Sequence, residues 1–296
     1  MDDLKPLLAF AAVAKLGSMN AAGQYLGISA SAVSQHISRL ESLHGVTLLH
    51  RSTRKIVLTE AGHLLAQHAA QLQQAALYTQ NALDSLKSEV SGTLRLSLIS
   101  GLTEATWFQA ALRELLQTYP AITPQLFMSD QIIDLKQERI DMAFRAGEGS
   151  LNQGDLVAKR LVTANWQICA APDYLAKMPA IQHPEDLAEH RWIAISGINQ
   201  TLQNGENTFL LQPTNYLYCD QLSGLRNCAL AGLGLSIQTD IEIHGLLEKG
   251  LLQVVLPEWK LLSINLYAVM PYRIQSAKVR VWLEIVQRQL AWHCIR

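Results

Sequence analysis

Apolar positions in the first fifty residues recur at helical spacing in three successive blocks. In "DLKPLLAFAAVAKL" (3–16), Leu4, Leu7, Leu8, Ala11, Ala12 and Leu16 form one stripe. Pro6 is tolerable in the first turn, and Gly17 ends the helix. Ser18 suits the N-cap of a second block over about 19–26, where Ala21 and Ala22 allow close helix approach and Gly27 is the stop. Ser29 can cap a third block that runs to about His44. There Val33, Ile37 and Leu40 make a core face, and Ser31, Ser34, Gln35 and Ser38 make the opposite one. Serine is a mediocre helix former, so a serine-rich face in place of lysine or glutamate costs stability unless something compensates.

Two helices joined by a short glycine turn, with an uncharged hydrogen-bonding face on the second, make the helix-turn-helix pattern. Short hydroxyls and an amide can bond base edges and phosphates without holding a helix away from a DNA groove. A surface helix pair in any α-protein has the same outline, so the next segment matters. "TLLHRSTRKIVLT" (47–59) reads as two short strands around a polar turn. That wing would set Arg51, Arg54 and Lys55 beside the serine face as phosphate anchors; the alternative is a basic turn that faces only water. Ser31, Ser34 and Gln35 are the candidates for base contacts, with Arg39 nearer the backbone.

Thr59 caps the next helix, and no proline interrupts residues 60–89. Ala61, Leu65, His68, Leu72, Ala75, Thr79, Ala82 and Leu86 step by four and three, a heptad-like seam on a helix about 45 Å long. A stripe of that length calls for a partner, and a second copy of the chain fits. Ser91 and Gly92 mark a boundary. Beyond it strand and helix patterns alternate: strands at 93–100, 123–129 and 141–147, helices at 104–119 and 132–139, a second set from 164, and a closing amphipathic helix at 276–292. Alternation of this kind predicts a mainly parallel sheet with crossover helices.

Charge sharpens this division. The chain of 296 residues has a net charge of −1, but residues 1–58 carry six basic and three acidic side chains, so the remainder is acidic. A hydrophobic content of 49% supplies sizeable cores, and no apolar run reaches the length of a membrane span, so a cytoplasmic protein is expected. Cys169, Cys219, Cys228 and Cys294 show neither metal-ligand spacing nor a disulfide framework; a redox role for Cys219 and Cys228 is weighed against ordinary buried thiols. The histidines are scattered, without HExxH, GxSxG or a P-loop, and "GLGLS" (232–236) lacks the third glycine of a dinucleotide fingerprint. Neither an enzyme nor a cofactor is indicated. A solute-binding protein or a metabolic enzyme with an accessory helical domain is the rival reading; a plain solute-binding protein leaves the first ninety residues without a task.

"AAGQYLGISASAVSQHISRLE" followed by "RSTRKIVLTEAG" closely resembles the N-terminal signature of LysR-type transcriptional regulators. "GTLRLSLI", "ERIDMAFRAGE", "AAPDYLAK", "LAGLGLSI" and "LYAVMPYR" agree in order along the chain. The resemblance implies a winged helix-turn-helix at 1–58, a linker and dimerisation helix at 59–89, and a two-lobed effector domain at 90–296, similar to a periplasmic solute-binding protein. Lobe I would take about 92–163 and 270–296, and lobe II about 164–269, joined by crossover strands near 163–166 and 267–271. It also implies double-stranded operator DNA, a small-molecule effector, and a homodimer or homotetramer as partners, with interrupted palindromes as targets and frequent repression of the regulator's own gene. Ala30 departs from the longer polar residue many members place there, which removes one base contact. "SIQTDIEIHGLLEKG" departs from the family's proline-containing pattern.

A cleft between two α/β lobes gathers strand ends and helix N-termini. Ser100, Thr103, Ser129, Arg145, Ser196 and Gln221 stand at expected strand ends or edges as effector candidates. A helix beginning near Thr103 would suit an anion such as a carboxylate, with Glu104 weighing against it.

Overall fold

A computed structural model describes residues 4–51, 56–86, 90–147, 156–195, 197–273 and 275–294. The chain divides into two compact units, Met1–Asp84 and Ser85–Arg296. The first comprises α1 (Lys5–Leu16), α2 (Met19–Leu26), α3 (Ala30–His44), β1 (Leu49–Arg51), β2 (Ile56–Leu58) and most of α4 (Glu60–Leu86). The expected stops and starts hold. Gly17, Gly27 and Gly45 take left-handed φ values of 65°, 70° and 64° at the three helix ends. Ser18 and Ser29 accept hydrogen bonds from the backbone N–H groups of Ala21 and Ala32. β1 and β2 pair antiparallel, Leu49 opposite Leu58.

The buried side of α1 differs from the expected leucine stripe. Pro6, Ala9, Phe10, Ala11, Ala12 and Val13 are buried, whereas Leu4 and Leu16 are 45% and 37% exposed. α1 packs against both α2 and α3, so its middle is enclosed on two sides while its end residues project past its neighbours. Val33, Ile37 and Leu40 of α3 complete this core, as their spacing predicts.

The second unit runs β3 (Gly92–Leu98), α5 (Thr106–Thr118), β4 (Ile122–Met128), β5 (Met142–Ala146), β6 (Val157–Ala170), α6 (Pro172–Leu175), β7 (Trp192–Ala194), β8 (Gln200–Asn204), β9 (Asn207–Leu211), β10 (Tyr216–Tyr218), α7 (Leu222–Leu230), β11 (Leu235–Thr239), α8 (Asp240–Glu248), β12 (Gln253–Val255), β13 (Ser263–Met270) and α9 (Ala277–Cys294). The main sheet has the order β10-β7-β11-β6-β13-β5-β3-β4, with β12 also on β6. Its flanks are parallel, as the alternation predicts, but its middle is not: β6 and β13 pair antiparallel with each other, and with β11 and β5 respectively. The first half of β6 pairs with β13 and its second half with β11 and β12, so this one strand links two lobes. The hydroxyl of Thr163 donates to Oδ1 of Asn265 at 2.7 Å and ties the two linking strands together.

Each lobe has a core, and Ile241 of α8 joins that of the first. In the first, α5 and α9 bring Trp107, Phe108 and Trp282 onto Phe144 of β5, with Phe108 and Trp282 edge to face at 5.7 Å. In the second, alternation along β6 sends Ile168 to one face of the sheet and Cys169 to the other, each into a separate apolar cluster.

One local reading is corrected. Residues 135–139 form a turn in place of the helix expected over 132–139. Asp134 Oδ1 accepts from the N–H groups of Lys136 and Gln137 as an N-cap does, but Arg139, at φ 55°, leaves the helical region and ends the turn. The second lobe also contains the hairpin β8–β9, where Asn204 pairs with Asn207 across Gly205 and Glu206. Gly205, at φ 60°, takes the turn position that needs glycine. Among the described residues, no helix is long and apolar enough to cross a membrane.

Candidate functional site

On α3 the three core residues turn inward, and Ser31, Gln35, Ser38 and Arg39 are exposed, with Ser34 half-buried. The hydroxyls of Ser31 and the capping Ser29 lie 2.9 Å apart. The side chains noted in the sequence therefore share one outward face of a helix held firmly from behind. That hold has a specific source. Glu41 Oε1 accepts from the backbone N–H groups of Leu48 at 2.8 Å and Leu49 at 3.2 Å, pinning the start of β1 to the last turns of α3. Replacing Glu41 by alanine should cost about 2 kcal/mol, the scale of a charge-assisted hydrogen bond lost to buried donors. A drop in the urea midpoint of the first unit would register it, and an unchanged midpoint would show the pin to be dispensable. Arg54 and Lys55 lie outside the described residues; Arg51 ends β1, and only its backbone is described.

In the second unit, the expected effector residues divide. Ser100 is buried at the contact between lobes. Its N–H and hydroxyl donate to the carboxylate of Asp130 at 2.7 and 2.8 Å, and its oxygen accepts from the N–H of Ser223 at 3.2 Å. Asp130 also accepts from the N–H of Leu222 at 3.0 Å. A carboxylate of the first lobe thus sits on the N-terminus of α7 in the second, where free N–H groups and the helix dipole favour negative charge. Gln221 occupies the N-cap of α7 without a side-chain cap bond. Ser129 lies beside Asp130 and bonds within its own turn, accepting from the N–H of Gln131.

Thr103 does not begin a helix. It lies in a short 3-10 turn, Leu102–Glu104, and α5 starts only at Thr106. Its carbonyl accepts from Nε2 of Gln109. Arg145 is buried away from Ser100 and donates to the carbonyl of Ile133 at 2.7 Å. Burial lowers its pKa from the usual guanidinium value, against the opposing charge of Asp134. Ser196 lies outside the described residues.

The sequence pattern does not reveal the charged centre of this contact. Arg226 of α7 is fully buried. Its Nε donates to Glu104 Oε2 at 2.8 Å, and Nη2 lies 2.7 Å from that oxygen and donates to the carbonyl of Gly101 at 2.9 Å. Among the described residues Nη1 has no hydrogen-bond partner. Glu242 is buried nearby and accepts from the hydroxyl of Thr239 at 2.6 Å. Burial pushes its carboxyl above the usual range, Asp130 adds to that, and Thr239 and Arg226 oppose it. The Glu242 carboxylate lies against Gly101, where a Cβ would come within 2.4 Å of its Oε1. The one signal in the sequence is an arginine amid the apolar residues of "LSGLRNCALAGLG", but its partners lie more than a hundred residues away.

Beside this contact the second lobe holds a cavity of about 250 Å³. Trp166, Ile193, Ile195, Ile198, Leu225 and Ile237 give it an apolar wall, and Asn199 and Gln200 add polar groups. Leu222 belongs to both features: its side chain lines the cavity and its N–H bonds Asp130. Among the described residues no cluster of potential ligands could hold a metal ion.

Comparison with known proteins covers both units. Residues 4–63 match the family described as "Bacterial regulatory helix-turn-helix protein, lysR family", and residues 87–291 match "LysR substrate binding domain". An HTH-type transcriptional regulator of Xanthomonas campestris pv. campestris is 30% identical over 97% of this chain and 86% of its own length. The HTH-type transcriptional regulator PtxR of Pseudomonas aeruginosa is 29% identical over 97% and 93%. Among solved structures, the full-length Vibrio cholerae virulence activator AphB matches with a TM-score of 0.61 and 26% identity, covering 98% of this chain and 99% of its own. CrgA of Neisseria meningitidis matches with a TM-score of 0.59 and 25% identity, over 98% and 99%.

Proposed function

Since the chain belongs to the LysR family of bacterial transcriptional regulators, we propose that the exposed face of α3 reads operator DNA through Ser31, Ser34 and Gln35. Arg39 lies nearer the backbone in this reading, and Arg51, Arg54 and Lys55 anchor phosphates. The observation that carries it is that uncharged face: hydroxyls and an amide turned outward on a helix whose other side is fully packed. The chain is a DNA-binding regulator with an effector-binding unit, and its homologues are named as regulators rather than enzymes.

Residues 1–58 form the DNA-binding part, 59–89 the dimerising linker, and 90–296 the effector-binding part. On α4, Leu65, Ala66 and Ala69 pack on the head, and Gln73 donates to the hydroxyl of Tyr25 at 3.1 Å. Ala61, His68, Ala75 and Thr79 of the seam stay exposed in the single chain, which supports pairing with a second copy. The effector places an apolar body in the cavity beside Leu222. An anionic effector would exchange its carboxylate for that of Asp130 at the α7 N-terminus, where Ser100 and Gln221 lie, with Thr103 and Ser129 as further contacts. Arg145, which donates to the carbonyl of Ile133, and Ser196 complete the effector residues of this reading. The protein works in the cytoplasm, where its operator is.

Selection of genomic fragments by the purified chain tests this reading. Recovery of a small set of fragments sharing a two-fold related sequence is the expected result. Recovery no better than from an unrelated acidic protein would refute it.

A further inference from the structure

The proposed function leaves two thiols unexplained. Cys219 follows β10, and Cys228 lies on the second turn of α7. Their sulfurs are 3.9 Å apart and both residues are partly exposed, so a small oxidant can reach them. The position of the pair gives it meaning. The segment between the two cysteines contains Leu222, Ser223 and Arg226, which bond Asp130, Ser100 and Glu104 of the first lobe. A bond between the sulfurs would therefore close a small loop around these contacts of the second lobe.

We propose that Cys219 and Cys228 form a reversible intramolecular disulfide under hydroperoxide, and that this bond alters the contact between the lobes. A disulfide brings its sulfurs to about 2.05 Å, so the two sulfurs must close by roughly 2 Å through rotation of the side chains and movement of the segment that carries them. The hydrogen bonds of 3.0 and 3.2 Å at Leu222 and Ser223 lie within that segment and report any backbone movement.

The chemistry balances with the hydroperoxide as sole oxidant. One thiolate attacks the O–O bond, takes up one oxygen as a sulfenic acid, and releases an alcohol, or water when the oxidant is hydrogen peroxide. The second sulfur attacks the sulfenic sulfur, and water leaves as the S–S bond forms. Two thiols lose two electrons and two protons, which the hydroperoxide takes up. Two equivalents of an external thiol reverse the change. Burial holds the Cys219 thiol above its ordinary range, with Cys228 and Asp220 adding to this, so the reaction should quicken as pH rises. Cys169 is a poor competitor: it is fully buried and its pKa is pushed up to about 12.

Arg226 between the cysteines makes the test simple, because trypsin separates residues 192–226 from 227–249. Reduced full-length protein is treated with hydrogen peroxide, quenched with N-ethylmaleimide and digested without reductant. The two peptides should appear joined, and separate on dithiothreitol. The joined species should be absent from Cys228→Ser. Backbone hydrogen exchange at Leu222 and Ser223 should lose protection in the oxidised protein and stay unchanged in peroxide-treated Cys228→Ser. Absence of the joined peptides, sulfinic acid at either cysteine in its place, or a bond formed without change in exchange would each overturn the proposal. These readouts involve no DNA, so their failure is distinct from failure of the regulatory reading.

Discussion

Replacing Arg226 by alanine should destabilise the second unit by about 3 kcal/mol, the low end of what removing one member of a buried ion pair costs. The low end applies for two reasons. The Glu104 side chain is 40% exposed, so water partly compensates the carboxylate left behind. Arg226 also already carries a buried, unbonded Nη1, a desolvation cost that the substitution removes. Against this stand the loss of the bonds to Glu104 and Gly101 and the cavity left by a fully buried side chain.

The substitution should also change how stability depends on pH. The carboxyl of Glu242 is raised in the folded protein, so the fold binds its proton more tightly than the unfolded chain does. Its contribution is fully present below the unfolded carboxylate range and is lost as pH rises through the folded value. Arg226 opposes that rise, so removing it should make stability fall over a wider range toward neutral pH. Urea midpoints at several pH values, compared with Arg226→Ala/Glu242→Gln, measure this. The double variant should recover part of the loss near neutral pH. Equal stability of Arg226→Ala and the unaltered chain would remove the guanidinium from its central place.

Replacing Gln35 by alanine should weaken operator binding by about 10- to 100-fold and leave binding to random duplex nearly unchanged. A bidentate amide–adenine contact is worth about 1–3 kcal/mol of base discrimination, and Gln35 is exposed on the α3 face. Fluorescence anisotropy on both duplexes separates the outcomes. Equal losses on the two would make Gln35 a backbone contact. Ser31→Ala should have a smaller effect, because its hydroxyl already has Ser29 within hydrogen-bond distance.

The head is largely legible in the sequence because its signals are local. Glycines that end helices and serines that begin them act within four residues, and the structure uses Gly17, Ser18, Gly27 and Ser29 as expected. The burial of α1 is not legible, since the stripe at Leu4 and Leu16 depends on where neighbouring helices end. In the second unit, the parallel flanks follow from alternating strands and helices. The antiparallel centre does not, because β6 and β13 meet across about a hundred residues. The hairpin at 200–211 has a readable cue in Asn204-Gly205, while the stretch 132–139 looks helical by pattern and ends at Arg139, whose φ of 55° no pattern announces. The candidates chosen at strand ends include Ser100 of the contact between lobes but not Asp130, Arg226 or Glu242, which form that contact with it. Strand ends can be read from periodicity; which charge meets which across two lobes cannot.

The proposed function places α3 in a DNA groove with cations on the phosphates beside it. The dependence of duplex affinity on salt tests that most directly. If Arg51, Arg54 and Lys55 each neutralise a phosphate in both copies of a dimer, log K should fall with log salt concentration with a slope of about −5. A slope near zero, or no binding to duplex DNA in dilute buffer, would contradict it.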